Sequence, residues 1–148
     1  MSKKTVPLVA LAAAALALTG AAAGSTHATK MEFTATLNAG QETPHPKGPM
    51  AGASGKFTAT VTGTKIAWKL TFSHLTGAAT AAHIHAGKKG VAGAVLVPLC
   101  GPCTSGQSGT ATLTSAQLTQ LKSGGTYVNV HTAKNPGGEI RGQIRMGM

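Results

Sequence analysis

Three histidines carry the chemistry this sequence could perform. His83 and His85 stand one residue apart in "AAHIHAG", and His131 lies near the end of "TYVNVHT". Side chains two apart in a strand share a face and sit about 6.6 Å apart along it. His83 and His85 therefore project together, with Ile84 opposite, while Tyr127, Asn129 and His131 oppose Val128 and Val130. The aliphatic residues belong to a core, so all three imidazoles fall on non-core faces and can meet if the two strands are neighbours. Neutral imidazoles with no carboxylate or thiolate beside them suit copper or zinc. The same rings could instead donate N–H groups to carbonyls of the surrounding glycine-rich turns.

The other histidines read differently. His74 follows "KIAWKLTFS" at the parity of Trp68 and Phe72, which predicts a buried, hydrogen-bonded ring. His45 lies between Pro44 and Pro46 and is expected in solvent, and His27 is near or within the leader described below. Arg141 follows Glu139 and Ile140 in "GEIRGQI"; a hairpin at Pro136-Gly137 sets it on the face of His131. There it could draw an anion toward a metal or steady the ligands from behind. The favoured reading is that it pairs with Glu139 or Glu42. Cys100 and Cys103 form C-G-P-C, the spacing of a thioredoxin redox centre, but they follow an apolar strand and run into turn residues. A redox motif instead opens a helix, whose dipole lowers the first thiol's pKa. An even pair in an exported chain is most simply a disulfide; a metal-thiolate pair and a redox centre are the alternatives.

Composition removes several classes of enzyme. The 148 residues include only three acids, Glu32, Glu42 and Glu139, and no aspartate. Serine triads, paired-carboxylate hydrolases and EF-hand calcium sites lack their essential side chains. The thirteen lysines and arginines are scattered and the chain has five aromatic residues besides histidine, which argues against a nucleic-acid partner. Attraction to anionic envelope surfaces follows from charge alone.

The elements that must position these residues are strands. "EFTATL" and "GKFTATV" alternate apolar side chains with threonine, and "KIAWKLTFSHL" places Ile66, Trp68, Leu70 and Phe72 on one face. Further strands are expected over 81–86, 94–99, 109–113, 126–132 and 139–145. One short helix falls in "TSAQLTQLKSGG", capped by Thr114 or Ser115 and stopped by Gly124 or Gly125. Short alternating runs between glycine-rich turns predict an all-β sandwich or barrel. The loop 40–52, with three prolines, is expected to be a crossover or surface loop. Before these strands, Lys3 and Lys4, an apolar run and small residues form a secretory leader over 1–28, with cleavage after Ala23 or Ala28. The remainder, 29–148, is one domain, expected to be secreted or periplasmic with no membrane span left after leader removal. It carries eleven basic side chains against three acids, a net charge of +8.

Three motifs in order, "LNAGQETP", "AAHIHAGKKGVAGAVLVPL" and "GGTYVNVHTAKNPGGEIRGQI", resemble those of the CHRD domain, found in chordin and singly in exported bacterial proteins. The resemblance spans about Met31 to Ile144. It implies a Greek-key-like β-sandwich of immunoglobulin or superoxide-dismutase character. The H-x-H pair with a third histidine is also similar to the copper ligands of copper–zinc superoxide dismutase, although the loop bearing the zinc ligands there has no counterpart here. Three functional readings follow: an exported binding module holding copper or zinc on His83, His85 and His131; a copper-only, dismutase-like redox enzyme on the same residues; or a protein-interaction domain with structural histidines and an unknown protein or envelope partner. The first, non-enzymatic reading is favoured.

Overall fold

The computed structural model describes residues 28–48 and 52–147, so the expected leader, up to Thr26 and His27, lies outside the described residues. The strands are β1 (Lys30–Asn38), β2 (Ser54–Thr62), β3 (Lys65–Ser73), β4 (Ala79–Ala86), β5 (Val95–Cys100), β6 (Gln107–Thr112), β7 (Thr126–Thr132), β8 (Ile140–Gln143) and β9 (Arg145–Met146). The single α-helix among the described residues, α1, spans Ser115–Lys122. The fold is all-β with one short helix, as the alternation of the sequence predicts.

One antiparallel sheet runs in the order β5-β4-β7-β8-β1-β2-β3-β6, with β9 added beside β1. The join between β8 and β1 is a single residue pair, Asn38 with Arg141. About this join the sheet divides into two halves whose inner faces share one core. Phe33, Phe57, Trp68 and Leu70 come from the β1-β2-β3-β6 half, and Ile84, Val97, Val128 and Val130 from the other. The connections β3 to β4 and β5 to β6 cross between halves, giving the Greek-key-like sandwich. Burying each such aliphatic or aromatic side chain contributes about 1.5–3 kcal/mol. Strict alternation fixes the register, because a slip of one residue would turn the apolar set outward.

The helix forms where its signals stand. Thr114 accepts from the Gln117 backbone N–H while the Gln117 side chain accepts from Thr114 N–H, a reciprocal cap. Gln117 Nε2 also donates to Leu96 O at 2.8 Å, tying the helix to β5, and Leu121 is buried. Gly124, at φ +71°, ends it.

Two local expectations are corrected. His74 is exposed rather than buried, because β3 stops at Ser73 and the backbone at His74 turns to φ +57°, so strand parity no longer applies. The strand expected over 139–145 is broken: β8 pairs with β7, whereas Arg145 and Met146 pair with Thr34 and Phe33 of β1. Ile144, fully buried between them, donates its N–H to Thr126 O instead of continuing the ladder.

Candidate metal centre

The centre lies on the outward face of β4 and β7. Antiparallel pairing sets Ala81 opposite His131, His83 opposite Asn129 and His85 opposite Tyr127. The valines and Ile84 take the inner face, so the histidines are driven outward together. One nitrogen from each of the three rings lies within 4.8 Å of the others. His83 Nδ1 is 3.0 Å from His131 Nε2.

Hydrogen bonds fix which nitrogens carry lone pairs. His85 Nδ1 is 2.9 Å from Gly93 O, and His131 Nδ1 is 2.9 Å from Pro136 O. A carbonyl only accepts, so both Nδ1 atoms must be N–H donors, leaving Nε2 of each as a lone-pair nitrogen. Backbone carbonyls holding the far nitrogen are how metal-ligating histidines are commonly oriented. His85 Nε2 is buried and has no hydrogen-bond partner among the described residues. His83 Nδ1 then donates to His131 Nε2 in the metal-free protein, and moving its proton to Nε2 frees a third lone pair. Nitrogens about 2.05 Å from one tetrahedral ion lie about 3.3 Å apart, between the separations seen here. Burial, then the neighbouring imidazoles His131 and His85, hold His83 below the ordinary histidine range. Burial also lowers His131, against the opposing effect of its bond to Pro136. Both rings are therefore neutral, the form that binds metals.

Coil segments roof this face. His85 stacks on Tyr127, with centroids 5.0 Å apart and planes 9° apart. From β8, on the other flank of β7, the Arg141 guanidinium carbon lies 3.4 Å from the Tyr127 ring centroid. Arg141 Nη2 donates to Lys88 O and Val91 O, both at 2.9 Å, and Gly93 N–H donates to the Tyr127 hydroxyl at 3.2 Å. The segment 87–94 is thus sewn onto the site at both ends. Only glycine fits at 93, since a Cβ there would fall 1.8 Å from Ala86 O.

The expected pairing of Arg141 with a glutamate does not form: among the described residues Lys30–Glu32 is the ion pair present. Arg141 is 1% exposed; its Nη2 is spent on the two carbonyls and its guanidinium covers the tyrosine ring, while Nη1 is buried without a partner among the described residues. Glu42 sits nearby, where burial pushes its carboxyl up to about 7 despite the backbone N–H of Thr43, the charge of Arg141 and the Asn129 amide. A Cβ at Gly138 would come 2.3 Å from Glu42 Oε1 and 2.8 Å from Asn129 Nδ2, so the hairpin backbone lies directly over this pair. Glu139 is occupied elsewhere, accepting from Thr76 N–H at 2.6 Å, from the hydroxyls of Thr76 and Thr132, and from Asn135 Nδ2 at 3.1 Å. Burial alone would raise Glu139, but these donors outweigh it and hold the carboxyl below its usual range. Neither carboxylate joins the histidines. Cys100 and Cys103 are disulfide-bonded.

The structure therefore brings the three predicted histidines together and places Arg141 against the Tyr127 ring on which His85 stacks. Sequence reasoning noted Tyr127 on the right face but not its stacking on His85. Gly93 and Pro136 act through backbone carbonyls, which leave no signature in side-chain patterns.

A CHRD domain model matches residues 33–144, and the chain belongs to that family. No curated protein and no solved structure matches the sequence significantly.

Proposed function

We propose that this chain is an exported CHRD module that binds one copper or zinc ion through His83, His85 and His131. One observation carries the reading. Two of the three rings spend Nδ1 on backbone carbonyls, leaving Nε2 of each as a lone-pair nitrogen, in a cluster where one nitrogen from each ring lies within 4.8 Å of the others. A purely structural role for His85 would leave its buried Nε2 without a partner, a cost of about 1–3 kcal/mol. An all-imidazole donor set favours copper or zinc over magnesium or calcium, which take oxygen ligands. Export is supported by the leader in the sequence and by the cysteine pair, since disulfides persist in oxidising compartments. No helix among the described residues is long and apolar enough to cross a membrane.

The test is metal analysis of the purified protein after copper(II) or zinc(II) loading and desalting, beside a His83/His85/His131 triple-alanine variant. The expected result is near-stoichiometric metal in the wild type and its loss in a variant that still melts cooperatively. Absence of metal from both proteins would assign the histidines to hydrogen bonding alone. Copper loading would make superoxide turnover the next assay, deciding between a binding module and a redox enzyme.

A further inference from the structure

The outward face of the other half, β1-β2-β3-β6, is built to a different rule. Its cross-strand rows are hydroxyls interrupted by ammonium groups. Thr34, Thr58, Lys69 and Ser108 are in register across the four strands, and Glu32, Thr60, Ala67 and Thr110 form the adjacent row. Lys56 and Lys65 stand on the flanking rows, and Arg145 of β9 extends the first row beside Thr34. Rows in a sheet repeat every 4.8 Å or so across strands and about 6.7 Å along them. Among the described residues, no large apolar or aromatic side chain breaks these rows.

The charge is one-sided over the whole molecule. Glu42 and Glu139 are buried, at 3% and 0% exposure, so Glu32 is the one exposed carboxylate side chain among the described residues. Its charge is already met by Lys30 at 3.0 Å and the Thr60 hydroxyl at 3.0 Å. Lys56, Lys65, Lys69 and Arg145 are all exposed and form no ion pair among the described residues.

We propose that this face binds a linear, carboxylated polysaccharide. Rows of hydroxyls match a polymer of hydroxyls, and ammonium groups on neighbouring rows match carboxylates recurring along it. A nucleic acid would require exposed rings for its bases to stack on, and the face has none. A membrane would require apolar side chains to insert, and a protein partner would require an anchoring aromatic or aliphatic residue. The surface is independent of the histidine centre, which lies on the opposite half of the sandwich.

The experiment measures binding of the purified protein to sodium polygalacturonate, with neutral dextran and long-chain polyphosphate as comparison polymers. Three variants are used: K56E/K65E/K69E on the face, K88E/K89E/K122E with the same charge change elsewhere, and T58A/T62A/T110A, which removes hydroxyls only and leaves the Thr60–Glu32 bond in place. The expected result is binding to polygalacturonate and not dextran, weakened roughly tenfold or more by the face reversal and much less by the remote one. The hydroxyl variant should weaken polygalacturonate more than polyphosphate. Equal losses in the two charge-reversed proteins would reduce the effect to net charge and overturn the assignment. Polyphosphate binding as tight as polygalacturonate, with no effect of the hydroxyl variant, would overturn the glycan. Failure of the wild type to bind polygalacturonate would overturn both.

Discussion

The two halves of the sandwich treat their outward faces in opposite ways. β1, β2 and β3 alternate between core and solvent, with threonine and lysine left in water. Every residue of β7 is buried, although its polar positions, Tyr127, Asn129 and His131, face away from the core. The difference lies in what covers them. Over β7 lie the segment 87–94, held by Arg141, and the hairpin 133–139, whose Asn135 side chain also accepts from Lys47 N–H at 2.6 Å. A strand face roofed by coil becomes a second, polar interior, where a hydrogen bond or a charge weighs far more than in water. An uncovered face keeps its polar groups cheap to replace and free to meet a partner.

Substitutions that separate the halves by size of effect test this contrast. The largest loss is expected for Glu139→Gln, at the covered end. An amide presents a donor where Thr76, Thr132 and Asn135 all donate, so urea unfolding should show about 3 kcal/mol of destabilisation at neutral pH. Lowering the pH should shrink that gap, because the wild-type carboxyl is held low and its stabilisation is lost as it protonates. Glu42→Gln should act in the opposite sense. Its folded pKa of about 7 lies above the unfolded value, so the ionised form costs stability. That cost is absent below the unfolded pKa, grows as pH rises toward 7 and is constant above it. The variant should therefore match the wild type near pH 4 and exceed it by about 3 kcal/mol near pH 8, read from melts at the two pH values. The smallest effect is expected on the open face, where Thr58→Ala should change stability by less than about 0.5 kcal/mol. A Thr58 loss as large as that of Glu139 would erase the distinction between the halves.

The alternation that produced the open half is also what made it legible. Phe33, Phe57, Trp68 and Leu70 each fall where period-two reading puts them, because water on one side and core on the other enforce it. The centre was half legible for the same reason: parity alone puts His83, His85 and His131 outward, and neighbouring strands bring them together. What parity cannot carry is the roof. Gly93 O, Pro136 O, Lys88 O and Val91 O belong to coil, where position follows from tertiary contacts and not from a repeat. Arg141 was expected to find a carboxylate because charge suggests one, yet its Nη2 donates to backbone carbonyls and its guanidinium lies over the Tyr127 ring instead. His74 failed at a boundary, one residue beyond the end of β3, where the rule had run out.

Among the described residues the sheet that makes both faces does not close, and β5, beside β4, is one of its two edges. An open edge is a template on which further chains can add strand by strand, ending in fibrous aggregates. Here the edge is blunted. Pro98 contributes no N–H to an incoming strand, and the β4–β5 register shifts at Ala82/His83 and again at Ile84/His85. A newcomer would meet a bent, donor-poor rim, so crowding many copies together should not lead to polymerisation along this strand.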